Sequence, residues 1–262
     1  MFIQRKFPNT RLRRLRRNNN LINLVSETNL TQDDLIQPIF VKENFDGKEE
    51  IDSMPNIYRY GINQALIEIE DIIQSGINSI AIFPVIDSEN KDEKGSQATK
   101  TNNFISNSIK EIKKQFPDLV LVADVALDPY TSHGHDGVFK KGKILNDKTN
   151  EILIKQSLLQ AEMGCDVIAP SDMMDGRIGK IRKALDKNNF KDIQILSYAV
   201  KYASNFYGPF RDAVGSKRIL RGDKKTYQMD YNNRLEAIRE VALDIKEGAD
   251  MVMIKPGMPY LD

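Results

Sequence analysis

Gly248-Ala249-Asp250-Met251-Val252-Met253-Ile254-Lys255-Pro256 is the stretch on which the fold is read. Ahead of it, Leu235, Ile238, Val241, Ala242 and Ile245 fall at helical spacing. Glycine closes that helix as a left-handed C-cap, a short turn with aspartate follows, and an apolar strand starts at once. The proline falls just past the strand, where no ladder donor is required. The same grammar recurs at Gly76-Ile77-Asn78-Ser79-Ile80-Ala81-Ile82-Phe83-Pro84 and at Gly164-Cys165-Asp166-Val167-Ile168-Ala169-Pro170. Before the first of these, Ile62, Ala65, Leu66, Ile69, Ile72 and Ile73 again mark one helix face. Helix, glycine, aspartate and buried strand, repeated, is the signature of βα units around a parallel sheet.

Further strands are predicted at Pro38 to Val41, Leu119 to Ala123 and Ile193 to Val200, with helices near residues 62–75, 102–115, 150–163, 177–187 and 231–247. An eight-fold βα barrel takes roughly 250 residues. Here about 35 residues precede the first strand and the chain ends at Asp262, just after the sixth. The expected fold is therefore α/β, a parallel (β/α)8 TIM-type barrel with an extended N-terminal arm. It reads as carboxyl-terminally incomplete, its last two βα units missing. The expected division is 1–34, an arm for subunit contacts, and 35–262, the catalytic barrel. A doubly wound sheet is the alternative, but no Gly-rich phosphate loop follows the first strand.

Two strands run into lysine. Gln194-Ile195-Leu196-Ser197-Tyr198-Ala199-Val200 leads into Lys201, and the opening stretch leads into Lys255. Chemistry in parallel α/β folds sits at the carboxyl ends of the strands. A lysine there is poorly solvated, and a second cation nearby lowers its pKa further. The neutral amine can then attack a carbonyl and form a Schiff base. The bland alternative is that each lysine snorkels out of a strand end.

Composition narrows the partners. Lys plus Arg number 38 against 37 Asp plus Glu, a net charge of +1, so nothing global points to nucleic acid or a membrane surface. No apolar run approaches the ~18 residues of a membrane span, and the amino terminus lacks a secretory pattern. The single cysteine, Cys165, excludes an internal disulfide and a zinc site built mainly on thiolates, and a reducing cytoplasm fits best. Residues 11–17 carry Arg11, Arg13, Arg14, Arg16 and Arg17. They read as a solvated tail, a nucleic-acid arm or a segment docked on a neighbouring subunit, and Leu12 and Leu15 favour docking.

Three loops carry candidate chemistry. Asp124 to Gly137 follows an apolar strand and holds both histidines of the chain, with Asp124, Asp128 and Asp136. The loop suits a substrate or cation site, with Asp124, Asp128 and Asp136 as candidate substrate-binding residues; were it a cation, oxygen donors favour Mg²⁺ or a monovalent ion over zinc. Ser171-Asp172-Met173-Met174-Asp175-Gly176-Arg177 places Ser171 at the height of a site, with the methionines packing and the aspartates as helix caps. The segment from Tyr202 to Met229 is too long for an ordinary βα connection and reads as a lid. Within it Arg211, Lys224 and Gln228 can hold a substrate carboxylate.

Taken together, these motifs resemble porphobilinogen synthase, the delta-aminolevulinic acid dehydratase family. The resemblance includes the arginine arm, the Asp124–Gly137 loop, Ala169–Arg177, Lys201-Tyr-Ala-Ser, Phe206-Tyr-Gly-Pro-Phe-Arg211, Gly222–Met229 and Met253-Ile-Lys-Pro-Gly257. It implies an eight-fold barrel in a homo-oligomer, commonly an octamer, held through the arm. It also implies condensation of two 5-aminolevulinate molecules to porphobilinogen with loss of two waters. By position, Lys255 and Lys201 match the Schiff-base lysines. Arg211, Lys224 and Gln228 match the groups around one substrate carboxylate, and Asp124 and Ser171 match polar residues of the site. Glu240 matches the glutamate of an allosteric Mg²⁺ site; its residues alone suggest an exposed helix carboxylate.

Zinc-dependent members carry cysteines where this chain has Ala126, Asp128 and Asp136. No catalytic zinc is expected, and Asp128 and Asp136 resemble the magnesium- or potassium-responsive branch. Lys224 replaces a common arginine. The family's last part supplies a further serine and tyrosine, which these residues do not include. The competing readings are a class I Schiff-base aldolase and an RNA-binding protein using residues 11–17.

Overall fold

The computed structural model describes residues 6–215 and 219–261. The chain forms two compact units, Met1–Leu35 and Ile36–Asp262.

In the first unit the arginine stretch is not simply extended. Leu12–Arg16 makes a 3-10 turn, and α1 (Asn19–Leu24) follows. The asparagine run explains the helix: Asn18 is its N-cap, and the side-chain oxygen accepts from the Leu21 amide at 3.0 Å. Leu12 and Leu15 remain exposed.

In the second unit the chain order is β1 (Gln37–Lys42), β2 (Lys48–Ile51), β3 (Met54–Tyr60), α2 (Ile62–Gln74), β4 (Ser79–Val85), α3 (Phe104–Gln115) and β5 (Val120–Val125). A short hairpin, β6 (Phe139–Lys140) with β7 (Lys143–Ile144), leads to α4 (Asn146–Glu162). Then come β8 (Val167–Pro170), α5 (Arg177–Lys187), β9 (Gln194–Lys201), α6 (Gly208–Ala213), α7 (Arg234–Glu247) and β10 (Met251–Lys255). The sheet order is β10-β9-β8-β5-β4-β1-β3-β2. Every pairing in it is parallel except β2 with β3.

The six predicted strands thus lie side by side in the order in which the chain makes them, with helices between. A doubly wound sheet reverses its strand order at a switch point; a TIM-type barrel does not. The architecture is the TIM type. Its main core joins Ile39, Ile82, Leu121, Ile168 and Ile195 from the strands to Ile69, Ile109 and Ile181 from the helices.

The repeated grammar has a physical basis beyond the glycines, which adopt φ of 92° at Gly76, 97° at Gly164 and 106° at Gly248. The aspartate that follows reaches to the neighbouring strand. Asp166 accepts the Leu121 amide at 2.8 Å, and Asp250 accepts the Ile195 amide at 2.8 Å. Each carboxylate satisfies a backbone donor at the entry of the adjacent strand, so the motif fixes register as well as helix end.

Besides α1 and the small β6–β7 hairpin, several features differ from expectation. The β2–β3 hairpin and α6 were not predicted. Asp172 and Asp175 are not the cap of α5, whose N-cap is Gly176 at φ 70° with no side-chain bond. Asp172 instead folds the turn, accepting the Met174 amide at 2.8 Å. The methionines do pack, both being buried.

Candidate active site

Lys201 and Lys255 end β9 and β10 as direct partners in the parallel register. Adjacent strands lie about 4.8 Å apart, and side chains from partnered positions point to the same face. The two amines therefore enter one space. Together with Asp128 and Phe210 they line two small adjoining cavities at the carboxyl ends of the strands.

The lysines differ in their surroundings. Lys255 carries its ammonium nitrogen among three rings, 4.1 Å from the centroid of Phe210, 5.0 Å from Tyr198 and 5.8 Å from Phe83. Burial, with Lys201 beside it, pushes this amine down to about 8, against the pull of Asp124, Asp128 and Asp136. The ring faces favour the charged form, but they do not replace the water that is lost. Lys201 has polar company: it donates to the Ser171 carbonyl and lies 3.5 Å from Asp136 Oδ1.

The end of β5 and the loop that follows it share the cavity with the lysines. Asp124 is half-buried, and its Oδ1 is sealed from solvent with no hydrogen-bond partner among the described residues. Burial and the neighbouring Asp128 push its carboxyl up to about 7, against the pull of Ser171 and the two lysines. A carboxyl poised there can carry a proton at neutral pH.

Asp128 and Asp136 share one cation. Lys224 Nζ lies 3.2 Å from Asp128 Oδ2 and 2.7 Å from Asp136 Oδ2. Burial works against the charge on Lys224, but the two carboxylates outweigh it and hold the amine above its ordinary value. Burial likewise opposes ionisation of Asp136, yet Lys224 and Lys201 hold its carboxyl well below the usual range. Tyr227 completes the group, donating its hydroxyl to Asp136 at 2.7 Å. The histidines brace the same loop from behind. His135 contacts the Arg221 carbonyl at 2.8 Å and the Tyr227 hydroxyl at 3.1 Å, and His133 contacts the Glu93 carbonyl at 3.2 Å.

All three residues predicted around a carboxylate line one cavity: Arg211, Lys224 and Gln228. Gln228 keeps its amide oxygen buried and without a partner among the described residues. Ser171, Asp124, Asp128 and both lysines line the adjoining cavity. Glu240 does not join them. It lies half-buried on α7 in a separate cleft with Asn146, Asp175, Asp230 and Glu236. Burial, then Asp244, raises its pKa, with Asp175 and Glu236 adding to the rise and Arg177 opposing it. Among the described residues no three His, Cys, Asp or Glu side chains are grouped to hold a metal.

Sequence reading missed several groups that shape the site. Tyr198 and Phe83 lie inside strands and look like core, and Phe210 sits beside the more conspicuous Arg211. On α4, Gln160 donates to the Asp124 carbonyl at 2.9 Å and Gln156 to the Ala126 carbonyl at 3.3 Å. These buried amides pin the end of β5, but glutamines in a polar helix carry no such signal.

The family model described as delta-aminolevulinic acid dehydratase matches residues 9–262. The delta-aminolevulinic acid dehydratase of Bradyrhizobium diazoefficiens is 55% identical over 91% of this chain and 68% of its own length. That of Methanothermus sociabilis is 51% identical over 98% of this chain and 79% of its own. Among solved structures, the delta-aminolevulinic acid dehydratase (porphobilinogen synthase) of Toxoplasma gondii, in complex with the reaction product porphobilinogen, superimposes with a TM-score of 0.93. It is 45% identical, and the match covers 97% of this chain and 72% of that one.

Proposed function

The chain belongs to the delta-aminolevulinic acid dehydratase family, and we propose that Lys255 and Lys201 carry the family's reaction as a Schiff-base pair. That reaction joins 5-aminolevulinate molecules into porphobilinogen for tetrapyrrole biosynthesis. The observation that carries the proposal is the register pairing of the two lysines, one of them with an amine lowered to about 8.

The steps follow from the residues. The neutral Lys255 amine attacks the ketone carbon of one 5-aminolevulinate; its nitrogen forms a C=N bond, and the carbonyl oxygen leaves as water. Lys201 does the same with the second molecule. One imine withdraws electrons from its adjacent carbon, which loses a proton and attacks the carbon of the other imine; the C=N electrons of that second imine pass to its nitrogen, which takes up a proton as the carbon–carbon bond forms. Asp124, near neutrality, exchanges that proton. Arg211 and Gln228 hold a substrate carboxylate and Lys224 adds positive charge beside them, while its bonds to Asp128 and Asp136 fix its position. Ser171 orients Lys201 through its carbonyl.

Two cation sites were expected. Lys224 occupies the space between Asp128 and Asp136, so a monovalent cation does not fit there. Glu240 suits Mg²⁺ better. Its cleft is lined by Asp175, Asp230 and Glu236 as well, and Mg²⁺ keeps several waters and needs few carboxylates. When bound, the ion supplies charge to that cleft and takes no part in the bond-making steps. The reading also includes homo-oligomer assembly, as an octamer, through the exposed Leu12 and Leu15 of the arm, and a cytoplasmic location. No helix among the described residues is long and apolar enough to cross a membrane.

Substitution tests the pair. Lys255→Arg and Lys201→Arg keep the charge but remove the nucleophile. Each is expected to lower kcat by roughly 10³-fold or more while circular dichroism stays native. Turnover within tenfold of the parent in either variant would overturn the assignment for that lysine. An aldolase reading finds no comparable support.

A further inference from the structure

We propose that Arg59 is a positioning residue for this reaction: from β3 it clamps the carboxyl end of α6 and thereby fixes Phe210 against Lys255 and Arg211 at the cavity wall. The inference rests on the Schiff-base reading above and extends it to a hairpin that has no place in the βα repeat.

The need for a clamp is plain from α6 itself. It has only six residues, GPFRDA. A helix so short does not hold itself in water; the amides of Val214 and Gly215 cap the Phe210 and Asp212 carbonyls, and the remaining acceptor capacity at its end faces the hairpin. Yet it supplies the nearest ring to the Lys255 amine, at 4.1 Å, and the arginine that lines the cavity.

Arg59 takes up that capacity. Its Nε donates to the Ala213 carbonyl at 2.7 Å, and one terminal nitrogen donates to the Asp212 carbonyl at 2.6 Å. The other terminal nitrogen donates to Glu49 on β2 at 2.9 Å, and Glu49 is itself held by Lys42 on β1. Glu49 therefore stays ionised: the bond from Lys42 lowers its pKa, and Arg59 adds to the effect against partial burial. Ser53, in the hairpin turn, donates to Asp212 Oδ2 at 2.6 Å. The planar guanidinium addresses two successive carbonyls and a carboxylate at once, which a lysine cannot do. Beneath the clamp, Phe210 packs edge-on against Phe83 at 5.4 Å and against Phe40 at 6.0 Å, with Ile51 of β2 in the same cluster. Hairpin, lid helix and the floor under Lys255 are thus one packed unit.

Arg59→Ala and Arg59→Lys in the full chain test the clamp by two readouts. The first is the split between KM and kcat for 5-aminolevulinate. The second is the pH midpoint of borohydride trapping at Lys255. In Arg59→Ala, KM is expected to rise about tenfold or more, since small misplacements of positioning groups are costly. The trapping midpoint is expected to move up by about one pH unit as water reaches the amine. Arg59→Lys should fall between the variant and the parent. A folded Arg59→Ala with parental KM and parental midpoint would overturn the proposal. If the parent protein gives no adduct on Lys255, the Schiff-base reading fails, while the KM of Arg59→Ala still decides the clamp. Should Arg59→Ala not fold, the double variant Ser53→Ala, Asp212→Asn removes one strut only. A KM rise of about two- to threefold then supports the clamp, and an unchanged KM overturns it.

Discussion

A lysine becomes a nucleophile when its proton is hard to keep. Lys255 meets that condition by burial among Phe210, Tyr198 and Phe83 and by the charge of Lys201, which together bring its amine from 10.5 to about 8. At pH 7 roughly a tenth of the amine is then neutral, against about 0.03% for an ordinary lysine. Imine formation at Lys255 is therefore expected to rise with pH and level off above about 8, read as the initial trapping rate across that range. The same shift has a cost in stability. Because the folded pKa lies below the unfolded one, the folded chain binds fewer protons between about 8 and 10.5. The penalty is full below about 8 and gone above 10.5. Lys255→Met is expected to be inactive yet more stable at pH 7, by about 1 kcal/mol in chemical denaturation. For Asp124, whose carboxyl is raised to about 7, Asp124→Asn removes the proton carrier but keeps the shape. A fall in kcat of roughly 10²-fold with little change in KM is expected from steady-state kinetics.

The βα motif was legible because its parts are local. Glycine at the helix end, aspartate or asparagine at the turn and the apolar run each leave a mark within nine residues, and three of the six predicted strands followed from it. Gly248 shows how tightly the motif is set: at φ 106° an added Cβ would meet Arg182 Cγ at 2.8 Å. Gly248→Ala is expected to destabilise the fold by about 1–2 kcal/mol, measurable as a lower urea midpoint at unchanged slope. The hairpin was not legible for the opposite reason. Lys48-Glu49-Glu50-Ile51 and Met54-Pro55-Asn56 carry little apolar alternation, and their role lies in distant partners on α6. Helix α6 was hidden likewise, because Gly208 and Pro209 read as a break and its carboxyl end is bonded by Arg59, about 150 residues away in the chain. The site residues split along the same line. Both lysines could be read from where they stand in the chain. The pairing of Lys224 with Asp128 and Asp136 joins positions 96 and 88 residues apart and appears only in the fold.

At the scale of the whole molecule, a nearly neutral chain gathers opposite charges into one place. Lys201, Lys224 and Lys255 face Asp124, Asp128 and Asp136 around the carboxyl ends of the strands, and burial beside Lys201 lowers the Lys255 amine. Glu240 lies apart in its acidic cleft, although Gln228 borders both that cleft and the cavity. Glu240→Gln is accordingly expected to abolish stimulation by added Mg²⁺ while leaving borohydride trapping at Lys255 intact, so that assay and peptide map separate regulation from chemistry. The central claim, that the two strand-end lysines are the Schiff-base pair, is tested most directly by borohydride reduction in the presence of 5-aminolevulinate followed by peptide mass mapping. A reduced substrate adduct is expected on Lys255, with a second on Lys201 as substrate is raised, and Lys255→Arg should lose the first. An adduct on neither lysine, or one confined to a lysine outside the cavity, would contradict it.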